Sequence, residues 1–292
     1  MEKDSPEMLA QYFRNTVKEM EAFVDIYDNQ AVTAQNVFQP AKLTNRDRFQ
    51  KFMNYLIRPE SKIIGKENIL EFYKNFQAGK SSLILGEHKS NFDVPGFCAM
   101  MYREENPVFS EIFEKIVFVA GRKLNEDSIF VKIIAETFNR VIVVPKGEGQ
   151  VDDKEEQRKI LEINMATQRF IRNNKDKYIF LVYPTGTRSR PWDRNTYKGI
   201  KEVYNYLKNF EQIIYLSING NCLPPTTTGM AWEIPKIDQF NVIFSKPVSG
   251  KELIQNGEKE FQGEKESFKQ FLIDKVMDQI YGQKGIMPWD EK

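Results

Sequence analysis

The sequence predicts an α/β fold, with a mixed central sheet flanked by helices and a small helical domain at the N-terminus. Two observations lead there. Beyond residue 80, short apolar runs rich in β-branched and aromatic residues alternate with longer stretches of helical spacing, the pattern of strands and helices layered on one sheet. Before residue 80 only helical spacing is found, and no strand pattern appears.

The first helix is expected over 5–28. Ser5 suits the N-cap, Pro6 the first turn, and Glu7 the positive end of the helix dipole. Leu9, Phe13, Val17, Met20, Val24 and Tyr27 then fall on one face. Further helices are expected near 45–57 and 66–77. Arg58 and Pro59 interrupt the helical pattern and set a boundary near 60. The chain thus divides into a helical part over 1–60 and an α/β part over 61–292. Strands are expected at 82–86, 115–120, 140–144, 178–183, 212–218 and 240–244. Helices are expected near 94–104, 127–138, 153–174, 196–208 and 265–281.

Composition narrows the function. A chain of 292 residues can bury a core without staples. Lys and Arg number 42 against 41 Asp and Glu, so the total lacks the basic excess of a nucleic-acid binder. Two cysteines (Cys98 and Cys222) and one histidine supply neither a disulfide framework nor the usual zinc site, and no cofactor is expected. No run of about 18 apolar residues is present, so no spanning helix is expected. The acidic start lacks an apolar signal core. The expected location is the cytoplasm, with peripheral contact at a membrane.

Four strand ends carry candidate chemistry. The first is Gly86-Glu87-His88-Lys89-Ser90-Asn91-Phe92-Asp93, at the carboxyl end of a strand, where ligand groups gather in α/β sheets. A loop of this length can return the Asp93 carboxylate to the His88 imidazole, fixing its tautomer and stabilising its charged form. Asp93 also suits a plain N-cap beside an incidental histidine. The second is Tyr183-Pro184-Thr185-Gly186-Thr187-Arg188-Ser189-Arg190-Pro191. Pro184 and Gly186 force a tight turn, and the small Gly186 and Thr187 leave room for a ligand. Arg188 and Arg190 suit a phosphate, because a guanidinium donates in a planar fork. A solvated basic loop has the same composition, with Arg194, Lys198 and Lys201 following. The third is 141–149, where Lys146 adds charge at the same mouth. The fourth is 213–225, whose Pro224-Pro225 turn suits either the wall of an alkyl pocket or an ordinary core turn.

These segments in this order resemble the glycerolipid acyltransferases, the superfamily of glycerol-3-phosphate and lysophosphatidate acyltransferases. His88 and Asp93 match its H-x4-D motif, and 183–189 its third block, F-P-E-G-T-R-S. Residues 141–146 are similar to the second block, and 218–225 stand where the proline-containing fourth block belongs. The chain is most similar to the soluble plastid-type glycerol-3-phosphate acyltransferases, through Asn54 to Pro59 and the R-x-R-P spacing of Arg188 and Arg190. Two departures stand out. Thr185 replaces the usual Glu of the third block, and the plastid enzymes' histidine near the second block is absent.

The resemblance implies transfer of a fatty acyl group to the sn-1 hydroxyl of glycerol-3-phosphate. The donor is a thioester on acyl carrier protein or coenzyme A. His88 and Asp93 are the implied catalytic residues. Arg188, Arg190, Lys146, Gly186 and Thr187 are the implied substrate-binding residues, with Phe97, Met100, Met101 and Pro224 lining an acyl cleft. Backbone amides at the start of the next helix would face the oxyanion. A lysophosphatidate acyltransferase uses the same motifs. A non-catalytic lipid- or thioester-binding protein is the alternative raised by Thr185, and a hydrolase using His88 with water is a further one.

Overall fold

The structure is a computed structural model that describes residues 4–23, 31–126, 129–145, 153–228 and 232–285. Its strands are β1 (Phe38–Gln39), β2 (Ile63–Ile64), β3 (Ser82–Gly86), β4 (Ile116–Gly121), β5 (Arg140–Val143), β6 (Ile179–Val182), β7 (Gln212–Asn219), β8 (Asn241–Phe244) and β9 (Val248–Ser249). Among the described residues they form one nine-stranded sheet in the order β1-β5-β4-β6-β3-β7-β8-β2, with β9 pairing β7. The centre, β5-β4-β6-β3-β7, is parallel. The pairs β1 with β5, β8 with β7 and β9 with β7 are antiparallel, so the sheet is mixed as the sequence predicts.

Helices cover both faces. On one lie α1 (Pro6–Glu21), α2 (Leu43–Leu56), α3 (Lys66–Gln77), α4 (Asp93–Arg103) and α5 (Val108–Lys115). The short α6 (Lys123–Glu126) follows β4, and α7 (Ile129–Ala135) joins the first face. On the other lie α8 (Lys154–Asn174), α9 (Tyr204–Asn209), α10 (Gly250–Glu260) and α11 (Phe268–Gly282). Covered on both sides, β3 and β6 are buried along their whole length, which is why they read as continuous apolar runs. Ile84 points to the first core, while Leu83 and Leu85 point to the second, as the period of a strand requires.

The N-terminal helix starts as its sequence dictates. The Ser5 hydroxyl accepts from the Met8 amide at 3.3 Å, with Pro6 next and Glu7 in the first turn. Leu9, Phe13, Val17 and Met20 are buried; Val24 and Tyr27 lie outside the described residues. Phe13 of α1 and Phe49 and Phe52 of α2 close around Phe92, with ring centroids 5.2–6.1 Å from it. The aromatic block therefore sits under the His88–Asp93 loop.

Several expectations are corrected. Strands do occur before residue 80: β1 and β2 have two residues each, too few to show a period. Helices α5 and α10 stand where the sequence reading leaves the chain unassigned. The helix expected over 196–208 is two 3₁₀ turns, Arg194–Tyr197 and Lys201–Val203, followed by α9. Gly199 explains the break, because a Cβ there would meet Ile273 of α11 at 2.4 Å. The segment follows α11's surface instead of coiling on itself.

Candidate active site

β3 and β6 are parallel neighbours, with Leu85 opposite Val182. Their carboxyl ends therefore release the two motif loops side by side, the position at which open α/β sheets hold ligands. One backbone bond joins the loops directly: the Ser189 amide donates to the His88 carbonyl at 2.8 Å. Arg188 and Arg190 flank that residue. The Tyr183 ring stacks on the imidazole of His88, with centroids 4.2 Å apart and planes 11° from parallel. Burial, followed by the Asp93 charge, holds the Tyr183 phenol well above its usual pKa, so the stacked ring stays neutral.

His88 Nδ1 lies 2.9 Å from Asp93 Oδ2. The same carboxylate oxygen accepts the amides of Lys89 at 2.6 Å and Ser90 at 2.9 Å, and the Ser90 hydroxyl lies 3.3 Å from Oδ1. Asp93 is 1% exposed, so its charge is held by these donors and not by water. Its place at the first turn of α4 adds the helix dipole. The plain N-cap reading fails on position: Phe92 is the N-cap, and Asp93 is the first helical residue, bonding backwards into the loop. With Nδ1 engaged, Nε2 makes no hydrogen bond among the described residues, and a fifth of the side chain is exposed. The arrangement leaves one ring nitrogen facing out from a ring fixed on its other side.

Four of the amides around the start of α4 are otherwise engaged, while that of Val94 makes no hydrogen bond among the described residues. Lys89 and Ser90 donate to Asp93, Phe92 to the Ser90 hydroxyl, and Asp93 to the Ser90 carbonyl. A loop that must hold a buried carboxylate needs its own donors. The expected acyl cleft is corrected. Phe97, Met100 and Met101 are at most 2% exposed and belong to the core, Phe97 packing on Phe113 and Phe244. In the turn of the fourth segment, Cys222 and Leu223 are buried core residues, and Pro224 and Pro225 are partly exposed. Burial pushes the Cys222 thiol up to about 12, which leaves it inert.

In the second loop, Gly186 takes a φ of +65°, which suits glycine, and its amide donates to the Tyr183 carbonyl at 3.0 Å. The Thr185 hydroxyl donates to the Thr187 carbonyl at 2.6 Å, so the turn is closed without the family's Glu. Thr187 is partly exposed and Arg190 exposed. The Arg190 guanidinium makes no hydrogen bond among the described residues. Arg188 does: its Nη1 lies 2.9 Å from both carboxylate oxygens of Glu233, a residue the sequence reading missed. Burial raises the Glu233 pKa, while Arg188 beside it opposes the rise. No local signal marks Glu233, because 45 residues separate it from its partner. Lys146 lies outside the described residues; the strand leading to it, β5, ends beside Gly121 of β4.

Behind the loops the C-terminal helix is anchored. Glu87 Oε1 meets Lys284 Nζ at 2.9 Å, both side chains at most 1% exposed. Glu87 Oε2 also accepts the Ile218 amide at 3.2 Å. The Tyr281 hydroxyl donates to the Tyr197 carbonyl at 3.0 Å, and the Ser217 hydroxyl to the Ile280 carbonyl. No group of three or more His, Cys, Asp or Glu side chains is placed to hold a metal ion among the described residues. Nor is any described helix long and apolar enough to cross a membrane.

A search of curated proteins finds no match. The profile of the Acyltransferase family matches residues 61–224, more than half of the chain and the whole of both motif loops. With His88 and Asp93 paired on one loop and the arginine loop bonded to it, the chain belongs to the Acyltransferase family and is an acyltransferase.

Proposed function

We propose that the chain transfers a fatty acyl group from a thioester donor, on acyl carrier protein or coenzyme A, to the sn-1 hydroxyl of glycerol-3-phosphate. The reading rests chiefly on the 2.8 Å bond from Ser189 to His88, which sets a fixed base next to two arginines. His88 Nε2 takes the proton from the hydroxyl as its oxygen attacks the thioester carbonyl. The C–S bond breaks, and the leaving thiolate takes the proton back from the imidazolium. Asp93 fixes the ring and favours its charged form in between. General-base help of this kind is worth on the order of 10² to 10⁴ in rate.

Arg190 and Arg188 receive the acceptor phosphate, with Gly186 and Thr187 leaving room beside them. Arg190 offers its donors outward, whereas Arg188 is held in place by Glu233. Thr185, the departure that favours a binding protein without catalysis, has its hydroxyl engaged within the turn. The loop therefore keeps its shape with the threonine in place.

Acceptor choice tests this reading. Glycerol-3-phosphate should be acylated in preference to lysophosphatidate. Arg190→Ala should raise the KM for glycerol-3-phosphate about ten- to a hundredfold, the worth of a charge-assisted contact of about 1.5–3 kcal/mol. Equal use of lysophosphatidate, or an unchanged KM, would move the acceptor assignment elsewhere.

A further inference from the structure

We propose that the outer face of residues 232–236, together with the 190–201 loop, docks on an anionic lipid bilayer. Burial alternates along the first segment. Trp232 is 70% exposed, Glu233 7%, Ile234 48%; Pro235 is buried and Lys236 exposed. This puts the Glu233 carboxylate inward and the Trp232 and Ile234 side chains outward. That inverts the usual arrangement and forgoes the burial that stabilises a fold. Trp232 is the most exposed large apolar side chain among the described residues.

The inward Glu233 fastens this segment to Arg188, at the head of the basic loop. There the same mixture recurs. Trp192 is 48% and Ile200 42% exposed. Arg194, Lys198 and Lys201 are exposed and make no ion pair among the described residues, with Asp193 the one acid among them. Tryptophan favours the interface between lipid and water, where its ring and its N–H each find their medium. Lysine and arginine beside it are drawn to anionic headgroups. An acidic protein would satisfy the cations. The apolar side chains, interleaved with cations over two segments, suit a lipid surface better. The surface borders the mouth of the candidate site, so on the acyl-transfer reading a lipid product leaves directly into the bilayer. The docking itself does not depend on that reading.

Sedimentation of the full chain with vesicles, in the absence of substrates, tests the proposal. Binding is expected on phosphatidylcholine vesicles containing phosphatidylglycerol, with little on phosphatidylcholine alone, and it should weaken as salt is added. Two double variants, Trp232→Ser with Ile234→Ser and Lys198→Glu with Lys201→Glu, should each lower the partition coefficient about tenfold or more. An unchanged circular dichroism spectrum keeps folding out of the comparison. No binding of the unaltered chain to anionic vesicles would overturn the proposal, as would equal binding by both variants. Binding to an acidic carrier protein, lost in the same variants and without vesicle binding, would assign the surface to a protein and overturn it equally.

Discussion

Asp93 determines what His88 is able to do. Its buried carboxylate accepts the ring and two amides, so the imidazole is fixed before any substrate arrives. Asp93→Asn tests this at the scale of one atom pair. An Asn oxygen in place of Oδ2 can keep His88 and the two amides, but it carries no charge to hold those donors or to stabilise an imidazolium. The variant should lose about 1–3 kcal/mol of stability and at least about a hundredfold in turnover. Urea unfolding and steady-state rates read the two effects separately. Near-normal turnover would remove Asp93 from the mechanism. The histidine and its partner were legible in the sequence because five residues and one loop hold them together. Glu233 was not, since its partner is distant in sequence and only folding brings them into contact. Nor does a motif, which names residues and not their bonds, say which amides the buried carboxylate takes for itself.

At the scale of elements, what the sequence revealed depended on length and period. Helix α3 falls where its spacing predicts, over 66–77, and the six expected strands all appear near their places. Two-residue strands carry no period, whereas α10 goes unassigned although its apolar residues do share one face, its two glycines weakening the helical signal. The segment after the arginine loop was misread because Gly199 serves a contact with α11 that no local pattern reveals. Helix α11 itself was expected, but its anchoring was not. Lys284, just beyond it, forms a fully buried pair with Glu87, next to His88. Removing one partner of such a pair leaves an uncompensated charge in the core. Lys284→Met should therefore cost about 3–5 kcal/mol of stability in urea unfolding. Replacing both partners by apolar residues should recover most of that loss. A single variant as stable as the natural chain would show that the pair does not hold the helix.

Across the whole molecule, one parallel sheet centre explains why residues 100 apart in sequence act at one place. β3 and β6 lie side by side, and each carries its loop to the same edge. The aromatic block of α1 and α2 supports that edge from one face, and α11 braces it from the other. The sequence disclosed the alternation that builds the sheet, but not the strand order that places the loops together. Nor could a net charge of +1 reveal which cations and tryptophans the fold leaves exposed.

The most direct test of the central claim is thiol release from a long-chain acyl thioester, offered on both acyl carrier protein and coenzyme A, with and without glycerol-3-phosphate. Release on one carrier or both, dependent on glycerol-3-phosphate and lowered about 10² to 10⁴-fold in a folded His88→Ala variant, is the expected result. Release that needs no acceptor, or that survives in His88→Ala, would contradict the account.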